Sequence, residues 1–453
     1  MASSRQLEPP SGTRDFLAPE LRHRERAFET IRGVFERYGF GPLQTPAFER
    51  IEVLTGKYGD EGDKLIFKIL RRGEHEASGE ADLALRYDLT VPLARVVAAY
   101  GSRLPSPYKR YAIAPVWRAD RPGKGRFREF VQCDLDVVGS TSSLADAEVV
   151  CAVSGALDAL GVHDYRILLN SRRALRGLLE AYEVPDDLGG RVLITLDKLD
   201  KLSGPEVTAE LEERGLDPAT AKSLVEDLIA EDSVQRMRTA LGNSEQGRAG
   251  LAEIDQILAL VVDRIGESRI AFTPRLVRGL DYYTGLIWEV VAPGMPGSIA
   301  SGGRYDRLVE SLGGPDLPAC GGSLGIERIL ALVDQSELMS DALDIAITVI
   351  DEPTPELLRV ASDLRDAGWR TGTYLGASRK LSKQLRWASD QGARYSVIYG
   401  ADERAAGEVT VRDMATGEQA RVPVSGVAEH VGHPSAGRGP RERRETSGRE
   451  LHH

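Results

Sequence analysis

Residues 276–291 read LVRGLDYYTGLIWEVV, with an arginine beside an aspartate and two tyrosines inside apolar sequence. Alternation of small or polar with apolar side chains predicts strand, turn, strand, so Arg278, Asp281, Tyr282 and Tyr283 gather where the chain bends. A guanidinium among apolar neighbours is costly unless paired. Two partners are open to it: Asp281, in a structural ion pair, or a bound anion. A second segment, VWRADRPGKGRFREFVQCDLDVVG over residues 116–139, has two strand-like runs flanking a glycine-bearing loop. Its Arg118, Arg121, Lys124, Arg126 and Arg128 have the chemistry to grip phosphates, and Phe130 offers a flat face for a base; a basic hairpin tip is the other reading. In a third segment, CGGSLGIERIL, Arg328 falls at the opening of a predicted helix, where the dipole and the free N–H groups favour an anion.

Positive charge is thus concentrated in a chain that is acidic as a whole, with a net charge of -11 over 453 residues. A polyanion must be held by a local groove rather than by a basic coat. Hydrophobic content of 42% with 28% charged residues is that of a globular protein of two or three domains. No leading apolar segment and no membrane-length apolar run is present, so no membrane association and a cytoplasmic location are expected. Cys133, Cys151 and Cys320 are scattered and odd in number, which argues for reduced, structural thiols. The histidines form no metal-ligand pattern in the predicted folded body, and no protein-held metal site is expected.

The elements that must position these residues follow from periodicity. Residues 22–38 carry Phe28, Ile31, Val34, Phe35 and Tyr38 on one helical face and stop at Gly39, with an edge-like strand after it. Strands are predicted over 65–70, 83–87, 108–117 and 127–138, forming an antiparallel sheet. A helix over 145–160 and a strand over 165–170 precede a charge-rich, mostly helical stretch to about 266. Strand character returns over 269–275 and continues through the 276–291 stretch and GSIASGGRYDRLV to the helix expected at GGSLGIERILALV. Beyond a polar linker, βαβαβ alternation predicts a small α/β domain with a largely parallel core. The domains expected are therefore 1–170 with 267–335, an inserted helical domain over 171–266, an α/β domain over 342–431, and a disordered tail over 432–453.

Taken in this order, the segments resemble the class II aminoacyl-tRNA synthetases and, within them, the histidyl-tRNA synthetase family. ERYGFGPLQTPAFE resembles the first class motif, VWRADRPGKGRFREFVQCDLD the second and CGGSLGIERIL the third. LRYDLTVPLAR and LVRGLDYYTG are similar to the histidine-specific signatures, and KLSKQLRWASDQGARYSVIYG to the anticodon-binding domain. The resemblance implies an α+β fold: a class II antiparallel sheet flanked by helices, an inserted helical domain and a C-terminal α/β anticodon-binding domain. It also implies a homodimer, with L-histidine, ATP carrying Mg2+, and tRNA(His) as partners.

By the same resemblance, Arg118 and Arg278 are the catalytic cations, approaching the α-phosphate and the histidine carboxylate from two sides. Asp88, Leu89 and Thr90 are expected around the polar end of histidine with Gln132 and Asp136 beneath it, and Tyr282, Tyr283 and Tyr305 around its ring. Phe130 is expected to stack on adenine and Asp120 to read its edge, with Arg126 and Arg328 on the phosphates. The chain departs from many bacterial relatives in having Gly123 where glutamine is common in the loop that reads the acceptor end. The same fold also serves a regulatory subunit of ATP phosphoribosyltransferase, a non-catalytic alternative.

Overall fold

The structure is a computed structural model that describes residues 7–58, 62–73, 78–123, 125–277, 282–333 and 343–432. They fall into two compact units divided at Asp334 and Gln335. Strands of the first unit are β1 (Gly41–Pro42), β2 (Phe48–Arg50), β3 (Lys68–Leu70), β4 (Ala81–Leu85), β5 (Tyr108–Trp117) and β6 (Glu129–Val138). They continue with β7 (Arg166–Ser171), β8 (Ile270–Phe272), β9 (Leu286–Val291), β10 (Ala300–Arg304) and β11 (Ala319–Gly325). One sheet runs β1-β5-β6-β11-β10-β9-β7-β8, antiparallel except at its two edges, where β1 pairs with β5 and β7 with β8 in parallel. A small sheet, β2-β4-β3, lies beside helix Thr90–Tyr100.

The strand period of two makes the sheet two-faced. On β6, Cys133, Leu135 and Val137 enter the main core, and Gln132, Asp134 and Asp136 point the other way. On β5, Tyr111 and Ile113 follow the core, whereas Arg110, Ala112, Ala114 and Val116 lie on the opposite face. Two helices cover the core face. Ala18–Arg37 buries Ala27, Phe28, Ile31, Val34 and Phe35 and ends before Gly39, whose φ of 78° suits only glycine readily. Ser143–Ala159 is capped by the Ser142 hydroxyl, which accepts from the Leu144 N–H at 3.2 Å.

Helices Arg172–Ala181 and Glu245–Ile265 bracket the helical segment and cross nearly backbone to backbone. A Cβ at Gly177 would lie 2.3 Å from Gly247 Cα, and one at Gly250 2.2 Å from Ala174 N. The core of this segment includes Phe272, Leu276, Val277 and Ile287, so it is continuous with the sheet and belongs to the same compact unit. Among the described residues no helix is long and apolar enough to cross a membrane.

Several boundaries differ from the sequence reading. The strand expected over 269–275 is only β8, because Pro274 follows and its carbonyl, with that of Leu276, accepts from Asn170 Nδ2 in a turn. Of the strand–turn–strand expected at 276–291, β9 is present and Leu276 and Val277 are buried outside any strand. The glycines of CGGSLGIERIL lie in β11, and the helix after them is four residues, Ile326–Ile329. In the second unit, β12 (Ile345–Ile347), β13 (Thr371–Thr373) and β14 (Tyr395–Ile398) are parallel. The antiparallel pair β15 (Glu408–Asp413) and β16 (Gln419–Pro423) extends them in the order β13-β12-β14-β15-β16, so this sheet is mixed. The turn between β15 and β16 is set by Asp413 Oδ1, which accepts from the Ala415 and Thr416 N–H groups at 2.8 and 3.0 Å.

The close helix crossing gives a first prediction. Gly250→Ala forces the two helices apart and should lower stability by about 1 to 3 kcal/mol, seen as a lower Tm. At Gly190 a Cβ meets nothing within 4 Å, so Gly190→Ala should leave Tm unchanged or raise it.

Candidate active site

The polar face of the sheet is built by register. Asp136 lies opposite Arg110 on β5 and Gly321 on β11, Asp134 opposite Ala112 and Ser323, and Gln132 opposite Ala114 and Gly325. The row continues through Gly303 and Ser301 on β10 to Glu289 on β9. Glycine at 321 is a requirement of the site, because a Cβ there would lie 2.0 Å from Asp136 Oδ1. Gly302 and Gly322 are required on the other face, where a Cβ on either would come within 2.4 Å of the Trp288 ring.

Beneath this face sits a fully buried arginine. Arg110 pairs with Asp136 Oδ2 at 2.8 Å and donates to the Leu89 carbonyl at 3.0 Å. Tyr305, 2% exposed, donates its hydroxyl to Asp136 Oδ1. Burial raises the Asp136 carboxyl above its ordinary range and the Arg110 guanidinium offsets part of that rise. The network anchors the turn before helix Thr90–Tyr100 through a backbone atom, which is how Leu89 enters the site. Asp88 accepts from the Tyr58 hydroxyl at 3.0 Å and the Val91 N–H at 3.1 Å, both on Oδ1. The half-buried Tyr282 hydrogen-bonds the Thr90 side chain, and its ring meets those of Tyr283 and Tyr305 at 5.1 and 5.7 Å. Burial drives the hydroxyl pKa values of Tyr282, Tyr283 and Tyr305 upward, so all three are neutral donors at physiological pH.

At the rim, Arg118 donates from Nε to the Tyr87 carbonyl at 3.1 Å, with its guanidinium 4.4 Å from the Tyr87 ring centre and 5.1 Å from that of Phe130. No described carboxylate lies within ion-pair distance of it. The neighbouring loop is internally tied: Arg126 pairs with Asp120 at 2.7 Å, Arg128 donates to the Asp120 carbonyl, and Gly123 bridges Arg126. Arg328 is third in its four-residue helix rather than at the opening of a long one, and it donates to the Ser298 carbonyl at 2.6 Å. It also reaches the Gly125 carbonyl at 3.4 Å, joining this corner to the arginine-rich loop. Arg278, Asp281 and Lys124 lie outside the described residues.

Asp88, Leu89, Thr90, Gln132, Asp136, Tyr282, Tyr283 and Tyr305 therefore come together, with Arg118 and Phe130 at the rim and Asp120, Arg126 and Arg328 in the loop corner. Sequence reasoning missed Arg110, Tyr58, Ser323 and Asp134. The signal for Asp134 was present, since it alternates with Gln132 and Asp136; that for Arg110 was its place opposite them on the neighbouring strand.

The family described as histidyl-tRNA synthetase matches residues 12–329, and that described as anticodon binding domain matches residues 344–432. The histidine--tRNA ligase of Gloeobacter violaceus is 40% identical over 93% of this chain and 97% of its own length. That of Cytophaga hutchinsonii is 38% identical over 91% and 96%. The crystal structure of histidyl-tRNA synthetase from Nostoc sp. PCC 7120 covers 94% of this chain and 98% of that one, with a TM-score of 0.77 and 31% identity. An ATP phosphoribosyltransferase regulatory subunit/histidyl-tRNA synthetase structure from Bacillus halodurans shares the fold at a TM-score of 0.73 and 22% identity, over 88% of this chain and all of that one. With one family matched over residues 12–329 and relatives alike over nearly their whole length, the chain belongs to the histidyl-tRNA synthetase family.

Proposed function

We infer that this chain is a histidine--tRNA ligase: it joins L-histidine to ATP as histidyl-adenylate, releasing pyrophosphate, and then esterifies the 3′ end of tRNA(His). The observation that carries the reading is an acidic, acceptor-rich floor with a guanidinium at its rim, Arg118, that no described carboxylate neutralises. Such a floor suits a cationic amino acid, and such a rim suits the anions it must meet.

In the first step a histidine carboxylate oxygen attacks the α-phosphorus, and the bond from that phosphorus to the oxygen of the leaving pyrophosphate breaks. In the second, the terminal ribose hydroxyl attacks the acyl carbon and AMP departs. Two anions must approach in the first step, so fixed positive charge is the main requirement, and arginine supplies it in a planar fork that stays protonated. Arg118 takes the α-phosphate and the carboxylate from one side and Arg278 from the other. Phe130 carries adenine, with Asp120 at its edge. Arg126 and Arg328 serve the distal phosphates, to which Mg2+ is bound as part of the nucleotide substrate. Asp88, Thr90 and Gln132 face the ammonium group; Tyr282, Tyr283 and the Asp136–Tyr305 pair surround the imidazole. A ring pocket lined by hydrogen-bonding groups rejects analogues lacking the ring nitrogens. Residues 342–431 bind the anticodon, the enzyme works in the cytoplasm, and the first-motif segment forms an isologous dimer interface.

Charging of a tRNA(His) transcript tests this reading: the purified protein should attach histidine to it, and a folded protein that does not is the regulatory kind instead. Transcripts with and without the extra 5′ guanosine report whether the Gly123-bearing loop reads that end. Arg278→Ala should slow adenylate formation by roughly 10² to 10³ with little change in Tm; a loss of about 3 to 5 kcal/mol of stability would instead mark Arg278 as the structural partner of Asp281. In sedimentation the protein should run as a dimer, and a monomer at micromolar concentration would contradict the interface. A chain ending near residue 340 should keep histidine-dependent pyrophosphate exchange and lose most charging.

A further inference from the structure

The carboxylates of the polar face are not equivalent. Asp136 accepts from the Tyr305 hydroxyl on one oxygen and has the other 2.8 Å from Arg110 Nη2, an ion-pair contact without a hydrogen bond. Asp134, two residues earlier and also 2% exposed, has a different surrounding. Its described partner is the Ser323 hydroxyl, and Ser323 Oγ in turn accepts from Gln132 Nε2 at 3.1 Å. This relay runs from Gln132 through Ser323 to Asp134. It leaves Gln132 Oε1 and Asp134 Oδ1 buried without a partner. Asp88 Oδ2 is in the same condition, because both of its hydrogen bonds fall on the other oxygen. The unpartnered donors nearby, Nε and Nη1 of Arg110, belong to a guanidinium fixed on Asp136 and the Leu89 carbonyl.

Buried acceptors without donors cost free energy until something fills them. The group that matches three acceptors, two of them carboxylate oxygens, brings three N–H bonds and a positive charge, which is a primary ammonium. We infer that Asp134 is a substrate-binding residue whose Oδ1, with Asp88 Oδ2 and Gln132 Oε1, receives the α-ammonium of histidine. Asp136, which faces Arg110 and Tyr305, keeps its place beside the ring. The inference rests on histidine being the substrate and adds a residue to the recognition of its amino group.

The electrostatics agree. Facing Asp134 are Arg110 from β5, Asp136 from β6, Ser323 from β11, and Arg86 and Asp88 from the segment before helix Thr90–Tyr100, together with the neutral hydroxyls of Tyr282 and Tyr283. Burial, with Asp136 adding to it and Arg110 opposing it, pushes the Asp134 carboxyl up to about 7. Histidine binding should therefore weaken as pH falls below about 7, where Asp134 takes a proton that the ammonium must displace. The stability sign is the reverse of the usual aspartate. The folded state binds a proton that the unfolded chain, with an ordinary carboxyl, does not, so this group costs stability above pH 7 and the cost fades toward pH 4.

The test is Asp134→Asn, which keeps the shape and an acceptor for Ser323 and removes the charge. In histidine-dependent pyrophosphate exchange at pH 8, the histidine KM should rise about 10- to 100-fold. The ATP KM should hold, kcat should change much less, and the histidine KM should lose its acid-side rise. Histidinol, which keeps the ammonium, should lose inhibitory strength by the same factor, and imidazolelactate, which has a hydroxyl in its place, should not. The variant's Tm at pH 8 should equal or exceed the parent's. An unchanged histidine KM overturns the proposal. So does equal weakening of both inhibitors, which would assign Asp134 to the ring, or a lowered Tm with kcat and both KM values degraded together, which would assign it to the fold. Ser323→Ala, which removes the hydroxyl orienting Asp134, should give the same inhibitor pattern in weaker form should Asp134→Asn not fold. A parent enzyme with no histidine-dependent exchange would fail at the earlier step, the identity of the substrate.

Discussion

Arg110, with no exposed surface, and Asp136 form an ion pair inside the protein, and much of the site follows from the need to keep that pair satisfied. Desolvating two charges is unfavourable unless further hydrogen bonds complete them. The Leu89 carbonyl supports one side and the Tyr305 hydroxyl the other. Each of these partners belongs to a segment that must then stay in place: the turn carrying Asp88 and Thr90, and the end of β10. Gly321 is the backbone's share of the same constraint, since any side chain there would occupy the space of the Asp136 carboxylate. The chain thus uses one buried pair to register three elements around a pocket floor.

The floor so registered is negative and the rim positive, a division that matches a substrate carrying an ammonium at one end and a carboxylate at the other. Asp88 and Asp134 are held by Tyr58, Val91 and Ser323, and each has one buried oxygen without a hydrogen-bond partner. Arg118 lies across the Tyr87 and Phe130 rings, where it is supported without being neutralised. A guanidinium that is placed but not paired can act on a developing charge at little cost in reorganisation. The loop corner is fixed differently, by Arg328 on the Ser298 and Gly125 carbonyls and by the pairing of Arg24 with Glu327 at 2.8 Å, which ties the first long helix to the short helix after β11.

How much of this was legible in the sequence depended on which physical signal carried it. The bounds of β5 and the end of β6 were readable because long alternating runs bury one face and expose the other. Gln132 and Asp136 were readable for the same reason. Asp134 was overlooked although it shares their period, because what sets it apart, its bond to the Ser323 hydroxyl, comes from a strand nearly two hundred residues away. The glycines of β11 pointed to a loop and helix start, since glycine usually interrupts elements; here they permit Asp136 on one face and Trp288 on the other to approach the strand. The antiparallel pair β15 and β16 was hidden behind the stronger βαβ signal that precedes it. Periodicity reports which way a residue faces, and it is silent about what arrives there from elsewhere in the chain.

The central claim is that this floor and rim are built to activate histidine. The most direct measurement is amino-acid-dependent exchange of pyrophosphate into ATP, run with each of the twenty amino acids on the purified protein with Mg2+. The account predicts exchange with L-histidine and background with the rest. Absence of exchange with histidine by a folded protein, or comparable exchange with another amino acid, would contradict it.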